Sequence, residues 1–208
     1  MGLREDKKQQ TRQHIAEIAR RRFAEAGFER VTVAEIAREA QVSTKTVFNY
    51  FATKEDLVYW RLESFEQELL GAIRDRPPGE TVLEAFGRFV LAPRGMLGDV
   101  DAAQREQLAA LTHTIAASPA LLAREEQIFA GYTRSLAALL AQEQDGGVEP
   151  AVVASTLIGV HRALVDFARG RILAGARHPA LADEVRAEAE RALGLIAGGL
   201  GGYAVKAG

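Results

Sequence analysis

Between residues 32 and 56, apolar and polar positions follow the pattern of two short helices joined by a tight turn. Thr32 and Glu35 have the spacing of a capping box, which predicts that a helix begins there. Ser43 can accept hydrogen bonds from the first turn of a second helix. The apolar face of the first helix has the spacing i, i+3, i+4, i+7, and its members are Val33, Ile36, Ala37 and Ala40.

The second helix of this pair divides into an inward and an outward face. Val47 and Phe51 lie one turn apart and are predicted to point into the core. The outward face is polar without a carboxylate, which suits a partner that carries phosphates. Lys45 and Asn49 are predicted to read bases, because Lys suits guanine and Asn suits adenine. The predicted DNA contacts are Thr32, Ser43, Thr44, Lys45, Thr46, Phe48, Asn49, Tyr50 and Lys54.

A further helix start follows at Thr53, with Asp56 three residues later. Lys54 then lies in a first turn, where a positive charge opposes the helix dipole unless an anion is near. A DNA phosphate would supply that anion, so Lys54 is predicted to contact the DNA backbone. The apolar residues that follow predict one long helix from about residue 54 to residue 75.

Together these residues resemble the TetR-type transcriptional regulators. Phe23 and Gly27 close a first helix as in that family, and the similarity spans roughly residues 11–60. Two positions depart from the family pattern, because Gln41 stands where a glycine is often found in the turn and Phe48 stands where a tyrosine is frequent. The resemblance implies a DNA-binding regulator that is not an enzyme, and by family habit a ligand-responsive repressor on a palindromic operator.

Capping and helix-breaking residues divide the rest of the chain. About nine helices and no strand are predicted, so the fold class is all-α. A three-helix helix-turn-helix domain over residues 1–53 precedes a helical effector-binding and dimerisation domain over residues 54–208. The residues that mark the later helix starts are Thr81, Glu84, Asp101, Gln104, Pro119, Pro150 and Pro179.

Residues 152–167 are apolar nearly all round a helix, with few later elements to cover them. A second copy of the chain would cover such a surface. The resemblance implies a homodimer whose four-helix bundle uses the two last long helices of each subunit. The predicted interface residues are Leu157, Val160, Leu164, Phe167, Leu193 and Ile196.

The residues between these regions include enough aromatic and polar side chains for a pocket that holds an unknown small-molecule effector. Aromatic residues at helical spacing are more often plain core, and a lone histidine is more often scaffold than ligand. No His pairing with metal-ligand spacing occurs, so neither a metal nor a cofactor is predicted. The candidate pocket residues are Phe65, Phe86, Phe89, Leu108, Leu111, Thr112, Phe129, Tyr132 and His161.

Composition and charge agree with a DNA-binding protein. The 208 residues are 48% apolar and include no cysteine, which is natural in a reducing cytoplasm. Residues 1–54 hold 11 Lys and Arg against 7 Asp and Glu, although the whole chain has net charge −2. No signal peptide and no run near ~20 apolar residues is found, so cytoplasmic localisation without membrane contact is predicted. A polar segment with Arg4, Lys7 and Lys8 is either a minor-groove arm or a frayed terminus.

Two other function classes are alternatives to a DNA-binding regulator. An enzyme needs a nucleophile with a base, paired carboxylates in a cleft or a cofactor loop. Adjacent carboxylates such as Glu125 and Glu126 diverge by about 100° on a helix, so they predict solvated surface. The remaining alternative is a helical small-molecule or protein-binding module whose DNA head is not used for specific DNA binding.

Overall fold

The computed structural model describes residues 3–60, 62–93, 97–98, 101–143, 147–176 and 179–199. Within these ranges the chain is helical and contains no strand, which confirms the all-α fold class. The helices of this part of the chain are α1 (Leu3–Ala26), α2 (Val33–Glu39), α3 (Thr44–Tyr50), α4 (Asp56–Tyr59), α5 (Leu62–Arg74), α6 (Val82–Val90), α7 (Ala102–Ala116), α8 (Pro119–Leu140), α9 (Glu149–Leu173) and α10 (Ala180–Gly198).

Two helix boundaries differ from the sequence predictions. Helix α1 begins at Leu3, so the basic N-terminal segment is helical and is not a separate arm. It contains no proline or internal glycine, and Thr11 Oγ1 donates to Lys7 O at 2.9 Å within it. The single helix predicted from about residue 54 is described as two helices, α4 and α5, and starts later, because the Leu57 amide donates to Lys54 O, three residues back, at 3.2 Å in a tighter first turn. The Thr53 amide donates to Asp56 Oδ2 at 3.0 Å, and regular helix begins at Asp56.

One compact unit consists of residues 1–65 and 106–126. Helix α1 packs on α2 and α4, and α2 packs on α3. Full burial of a large aliphatic or aromatic side chain stabilises a fold by about 1.5–3 kcal/mol, so a few such residues hold these short helices together. The largest buried side chains of this helix-turn-helix core are Ile15, Phe23, Val31, Ile36, Val47 and Leu57.

Three polar contacts attach the start of α8 to the helix-turn-helix core within the same unit. Their donor–acceptor distances are 2.6 to 2.9 Å. Buried hydroxyls need such partners, since an unsatisfied one is costly. The three pairs are Ser118 with Glu29, Tyr59 with the carbonyl of Leu121, and Arg124 with Asp56.

The other compact unit consists of residues 66–105 and 127–208. Helices α6, α9 and α10 pack on one another in it. Gly87 allows the close approach of α6 to α10, because a Cβ at this position would lie 3.2 Å from Leu193 Cδ1. Arg171 of α9 donates to both carboxylate oxygens of Glu184 of α10, at 2.5 and 2.8 Å. A glycine contact and a bidentate ion pair therefore fix α10 against its neighbours.

Helix α9 exposes apolar side chains along much of its length. Val152 is 57% exposed and Val153 is 38% exposed, near the start of the helix, and Leu173 at its end is 42% exposed. By length and composition alone, this helix of 25 residues could cross a membrane. The absence of membrane contact stays a prediction, because the core helix of a soluble protein has the same length and composition. One such helix is weak evidence for a membrane, since interface helices share this composition.

Candidate nucleic-acid interface

Helix α2 begins at a reciprocal capping box. The Glu35 amide donates to Thr32 Oγ1 at 3.2 Å, and the Thr32 amide donates to Glu35 Oε2 at 2.8 Å. The hydroxyl of Thr32 also donates to the same carboxylate oxygen at 2.8 Å. These hydrogen bonds lower the pKa of Glu35 below its usual value, with the Thr32 backbone amide as the largest cause. The predicted cap is confirmed, and the hydroxyl that was expected to contact DNA is already engaged in it.

The turn between α2 and α3 contains a left-handed residue. Gln41 has φ of +55°, and in the described part of the chain it is the one non-glycine residue with a positive φ. The left-handed conformation costs an L-residue about 1–2 kcal/mol, and glycine avoids that cost. The sequence left open whether the backbone tolerates glutamine here or the turn changes. The backbone keeps the left-handed conformation and tolerates the glutamine.

Helix α3 is capped at its start and anchored from one side. The Thr46 amide donates to Ser43 Oγ at 3.0 Å, as the sequence predicted. The side chains of Ser43 and Thr46 also share a hydrogen bond of 2.8 Å. Val47 is 1% exposed, and Phe51, which caps the end of the helix, is 3% exposed. These two anchors define which face of α3 is left to solvent.

The solvent face of α3 carries the residues that were predicted to read bases. Lys45 and Asn49 are both exposed and lie one helical turn apart. Phe48 is 49% exposed beside them, which is unusual for a phenylalanine. Thr44 is exposed, whereas Tyr50 is half-buried. Of the predicted contacts, those between Thr44 and Tyr50 lie on this one short helix, with a polar pair and an aromatic ring facing outward.

The carboxylates of α2, which is packed against α3, have hydrogen-bond or ion-pair partners within the same compact unit. The carboxylate of Glu35 accepts the capping hydrogen bonds of Thr32. Glu39, the other acidic residue of α2, pairs with Arg21 and lies 3.6 Å from Arg22 Nε of α1. Arg21 and Arg22 of α1 are therefore ion-pair partners of α2. No carboxylate lies on α3 itself.

Lys54 lies in a different environment from Lys45. Its ammonium donates to the carbonyl oxygen of Phe28 at 2.6 Å. It also lies 4.2 Å from the centroid of the Phe28 ring and 5.8 Å from that of Phe23. Sequence reasoning missed Phe28 as a partner, because a contact across 26 residues leaves no local signal. The predicted phosphate contact of Lys54 stays a prediction, and the ammonium has protein partners.

Two capped short helices joined by a tight turn, the second with an exposed Lys and Asn, have the form of a helix-turn-helix motif. Residues 15–59 match the family model described as bacterial regulatory proteins, tetR family. Over these residues the chain carries the DNA-binding domain of TetR-family transcriptional regulators.

Two similar proteins are named as HTH-type transcriptional regulators, and a similar solved structure covers most of the chain. The HTH-type transcriptional regulator TcmR of Streptomyces glaucescens is 28% identical to this chain, over 77% of this chain and 74% of the length of TcmR. The HTH-type transcriptional regulator LuxR of Vibrio harveyi is 55% identical over 23% of each chain. The solved structure of GusR from Salmonella enterica covers 89% of this chain and 96% of its own, with a TM-score of 0.48 and 22% identity.

The candidate pocket residues belong to both compact units. In the unit that contains α9, rings of three of them meet: Phe129 lies 6.2 Å from Tyr132 and 5.8 Å from His161, both edge-on. Burial lowers the pKa of His161 to about 4, so the imidazole is neutral at pH 7. Burial, and then the charge of Glu66, raises the pKa of Tyr132. Phe86 and Phe89 are buried in this unit, and the other unit contains Phe65, Leu108, Leu111 and Thr112.

The predicted dimer residues differ in how much surface they retain. Leu157 is 2% exposed within its own chain, because it packs inside its unit. The other predicted residues, Val160, Leu164, Phe167, Leu193 and Ile196, are half-buried. Residues that the sequence analysis did not select expose more apolar surface, among them Val152 and Leu195. A helix that is apolar all round gives no sequence signal for which side its own chain covers.

Potential metal ligands are scattered. No group of three His, Asp or Glu side chains that could hold a metal ion occurs among residues 3–60, 62–93, 97–98, 101–143, 147–176 and 179–199.

Proposed function

We propose that this regulator is a repressor that binds a palindromic operator as a homodimer and responds to a small-molecule effector. The observation that carries the DNA-reading part is the exposed pair Lys45 and Asn49 on a helix anchored by Val47. DNA reading is assigned to residues 1–53, and effector binding and dimerisation to residues 54–208.

The exposed side chains of α3 have the chemistry for both parts of DNA recognition. Asn49 can form two hydrogen bonds with adenine, and Lys45 can donate to the O6 and N7 atoms of guanine. The hydroxyls of Thr44 and Tyr50 can donate to phosphates, and so can one of the two hydroxyls of Ser43 and Thr46, which share a hydrogen bond. Such contacts position the helix without reading sequence. Phe48 can contact the methyl group of thymine, since its exposed ring has no hydroxyl for a phosphate.

Dimerisation rests on the exposed apolar face of α9. Monomers rarely expose contiguous apolar patches of several hundred Å² without a partner. A second copy would cover this face with its own α9 and α10, and twofold symmetry would present two copies of α3 to half-sites about 34–36 Å apart, or a multiple of that spacing. Arg162 and Asp166, 4.0 Å apart on α9, favour a protein partner in an aqueous compartment over a lipid one. Cytoplasmic localisation follows from the same proposal.

Effector binding is proposed for the region of the aromatic cluster Phe129, Tyr132 and His161. A neutral imidazole and a phenol can exchange hydrogen bonds with a bound molecule while the rings supply apolar contacts. An effector that binds one arrangement of the dimer more tightly would shift the population away from the operator-binding arrangement. The ligand would control transcription through this shift, because fewer dimers would be able to bind the operator.

Fluorescence anisotropy tests the proposal. The duplex is the intergenic DNA upstream of the gene that encodes this chain, and a random duplex of equal length is the control. Specific binding should be at least ~10³-fold tighter than random binding, and the affinity should fall with a log–log salt slope of about −0.9 per phosphate contacted. Equal affinity for both duplexes at every salt concentration would contradict DNA reading and favour a helical binding module.

A further inference from the structure

The inner face of α1 changes from apolar to basic toward the N-terminus. Ile15, Ala19 and Phe23 follow one another at intervals of four residues on this face, and all three are buried in the helix-turn-helix core. The helical spacing continues backwards to Arg12 and then to Lys8. The side of α1 that packs on α2 and α4 within the core therefore carries positive charge where the apolar packing ends.

The basic part of α1 lies beside the end of α3. The guanidinium carbon of Arg12 is 5.6 Å from the centroid of the Phe51 ring, and Phe51 caps the end of α3. Lys8 lies one turn further out on the same face, and it is exposed. At a rise of about 1.5 Å per residue, the Cα of Lys8 lies about 10 Å beyond that of Ile15 along the helix axis. Lys8 is thus outside the core, on the side of α1 from which Arg12 reaches α3.

We propose that Lys8 and Arg12 form a basic ridge along α1 that binds the DNA backbone beside the groove occupied by α3. This inference rests on the proposed DNA-reading function. Phosphates border the groove on both sides, so an element next to one end of α3 meets the backbone and not the base edges. The ridge adds affinity without sequence preference, because every base pair presents the same phosphates.

The charge and the rigidity of this segment favour a polyanion as its partner. Residues 4–14 hold four Lys and Arg against two Asp and Glu, a local charge of +2, whereas the whole chain has net charge −2. The α1 backbone is helical from Leu3, so the two cations are held one turn apart before DNA is bound. A preorganised pair loses less conformational freedom on binding than a disordered arm would.

Lys8→Gln removes one cation of the ridge and leaves the contact of Arg12 with Phe51 in place. Operator and random affinities should both fall, by about tenfold or more at ~0.1 M salt. The log–log salt slope should become shallower by about 1.8 per dimer, since each lost phosphate contact is worth about 0.9. Fluorescence anisotropy across a salt series measures both quantities. Arg134→Gln removes the same charge from an exposed position of α8, and it should keep the wild-type slope.

A charge-conserving variant separates the ridge from the net charge of the segment. Combining Lys8→Gln with Gln10→Lys moves the cation by two residues, to an exposed position on nearly the opposite side of the helix. Net charge and composition are unchanged, but the slope should stay as shallow as for Lys8→Gln alone. Circular dichroism melts verify that each variant is folded at the temperature of the binding assay.

An unchanged salt slope for Lys8→Gln on both duplexes would overturn the ridge. A wild-type slope for the combined variant would also overturn it, because the net charge of the segment would then account for the effect. A loss confined to the operator would contradict a backbone contact, since phosphates are shared by both duplexes. If the wild-type protein shows no preference for the operator, the proposed function fails, while the slopes on random DNA still test the ridge.

Discussion

Helices α3 and α9 both present a face to solvent, but with opposite chemistry. The face of α3 carries Lys45 and Asn49, and the helix is held in place by buried Val47. The face of α9 carries Val152 and Val153. Polar groups without negative charge suit a polyanion, whereas an apolar face suits another apolar face. Exposure alone therefore does not identify a partner, and the chemistry of the exposed side chains does.

The largest effect is expected on the face of α9. Val152→Asp would place an unpaired carboxylate in the proposed dimer interface, which should weaken dimerisation by about 3 kcal/mol or more, roughly 100-fold or more in the dissociation constant. Light scattering should report a monomer at micromolar concentration, with operator binding lost in parallel. Ala130→Asp, at an exposed position of α8, should leave the dimer intact. A dimer for Val152→Asp would show that this face has another role.

The next-largest effect is expected on the pH dependence of stability, through His161, which is half-buried on α9. Its pKa in the folded chain is about 4, against 6.5 ordinarily. Between these values the unfolded chain binds a proton that the folded chain does not, so stability falls as pH falls, by about 1–3 kcal/mol in total. Melting of wild type and His161→Gln from pH 7 to pH 4 should show a smaller loss for the variant.

His113 provides the control for that pH series, because it is exposed. His113→Gln should follow the wild-type pH dependence. If His161→Gln loses as much stability as wild type on acidification, other groups carry the pH dependence.

A smaller effect is expected on the face of α3. Asn49→Ala should weaken operator binding by about 1–3 kcal/mol and relax the preference at one base pair. Anisotropy on operators that vary at each position would locate that base pair. The affinity for random DNA is the internal control and should hold constant. A parallel loss on operator and random DNA would mean that Asn49 contacts the backbone and does not read bases.

The smallest effect is expected in the turn before α3. Gln41→Gly should stabilise the protein by about 0.5–1 kcal/mol, because relief of the left-handed strain exceeds the entropy cost of a glycine. Urea denaturation measures the change. Gln142→Gly is a matched control at an exposed turn residue without a positive φ, and it should be neutral or destabilising. If Gln41→Gly destabilises the protein, the glutamine side chain stabilises the fold by more than the left-handed backbone strain costs.

Local features of the fold could be predicted from sequence, because their partners are three or four residues apart. The capping boxes Thr32–Glu35 and Thr81–Glu84 form as their spacing indicated. Gly27, which was expected to end the first helix, has a positive φ of 82°. Such interactions are settled by the geometry of one helical turn.

Features that depend on distant segments could not be predicted in the same way. No local spacing indicated that Lys54 donates to the carbonyl of Phe28, 26 residues earlier, and its phosphate contact stays a prediction. The pattern of α9 indicated burial on all sides, but its own chain covers Leu157 and leaves Val152 exposed. Helical periodicity shows how apolar residues are spaced. It shows which side of the helix faces the core only when the opposite side is polar.

The ties between the start of α8 and the helix-turn-helix core have a consequence for synthesis on the ribosome. Their partners are 62 to 89 residues apart in the chain. At about 5–20 residues per second, roughly 60 residues take some 3–12 s to translate after the first 65. The nascent DNA-binding head therefore emerges seconds before Ser118 and Leu121 can satisfy the polar groups of Glu29 and Tyr59, and it becomes complete only when α8 arrives.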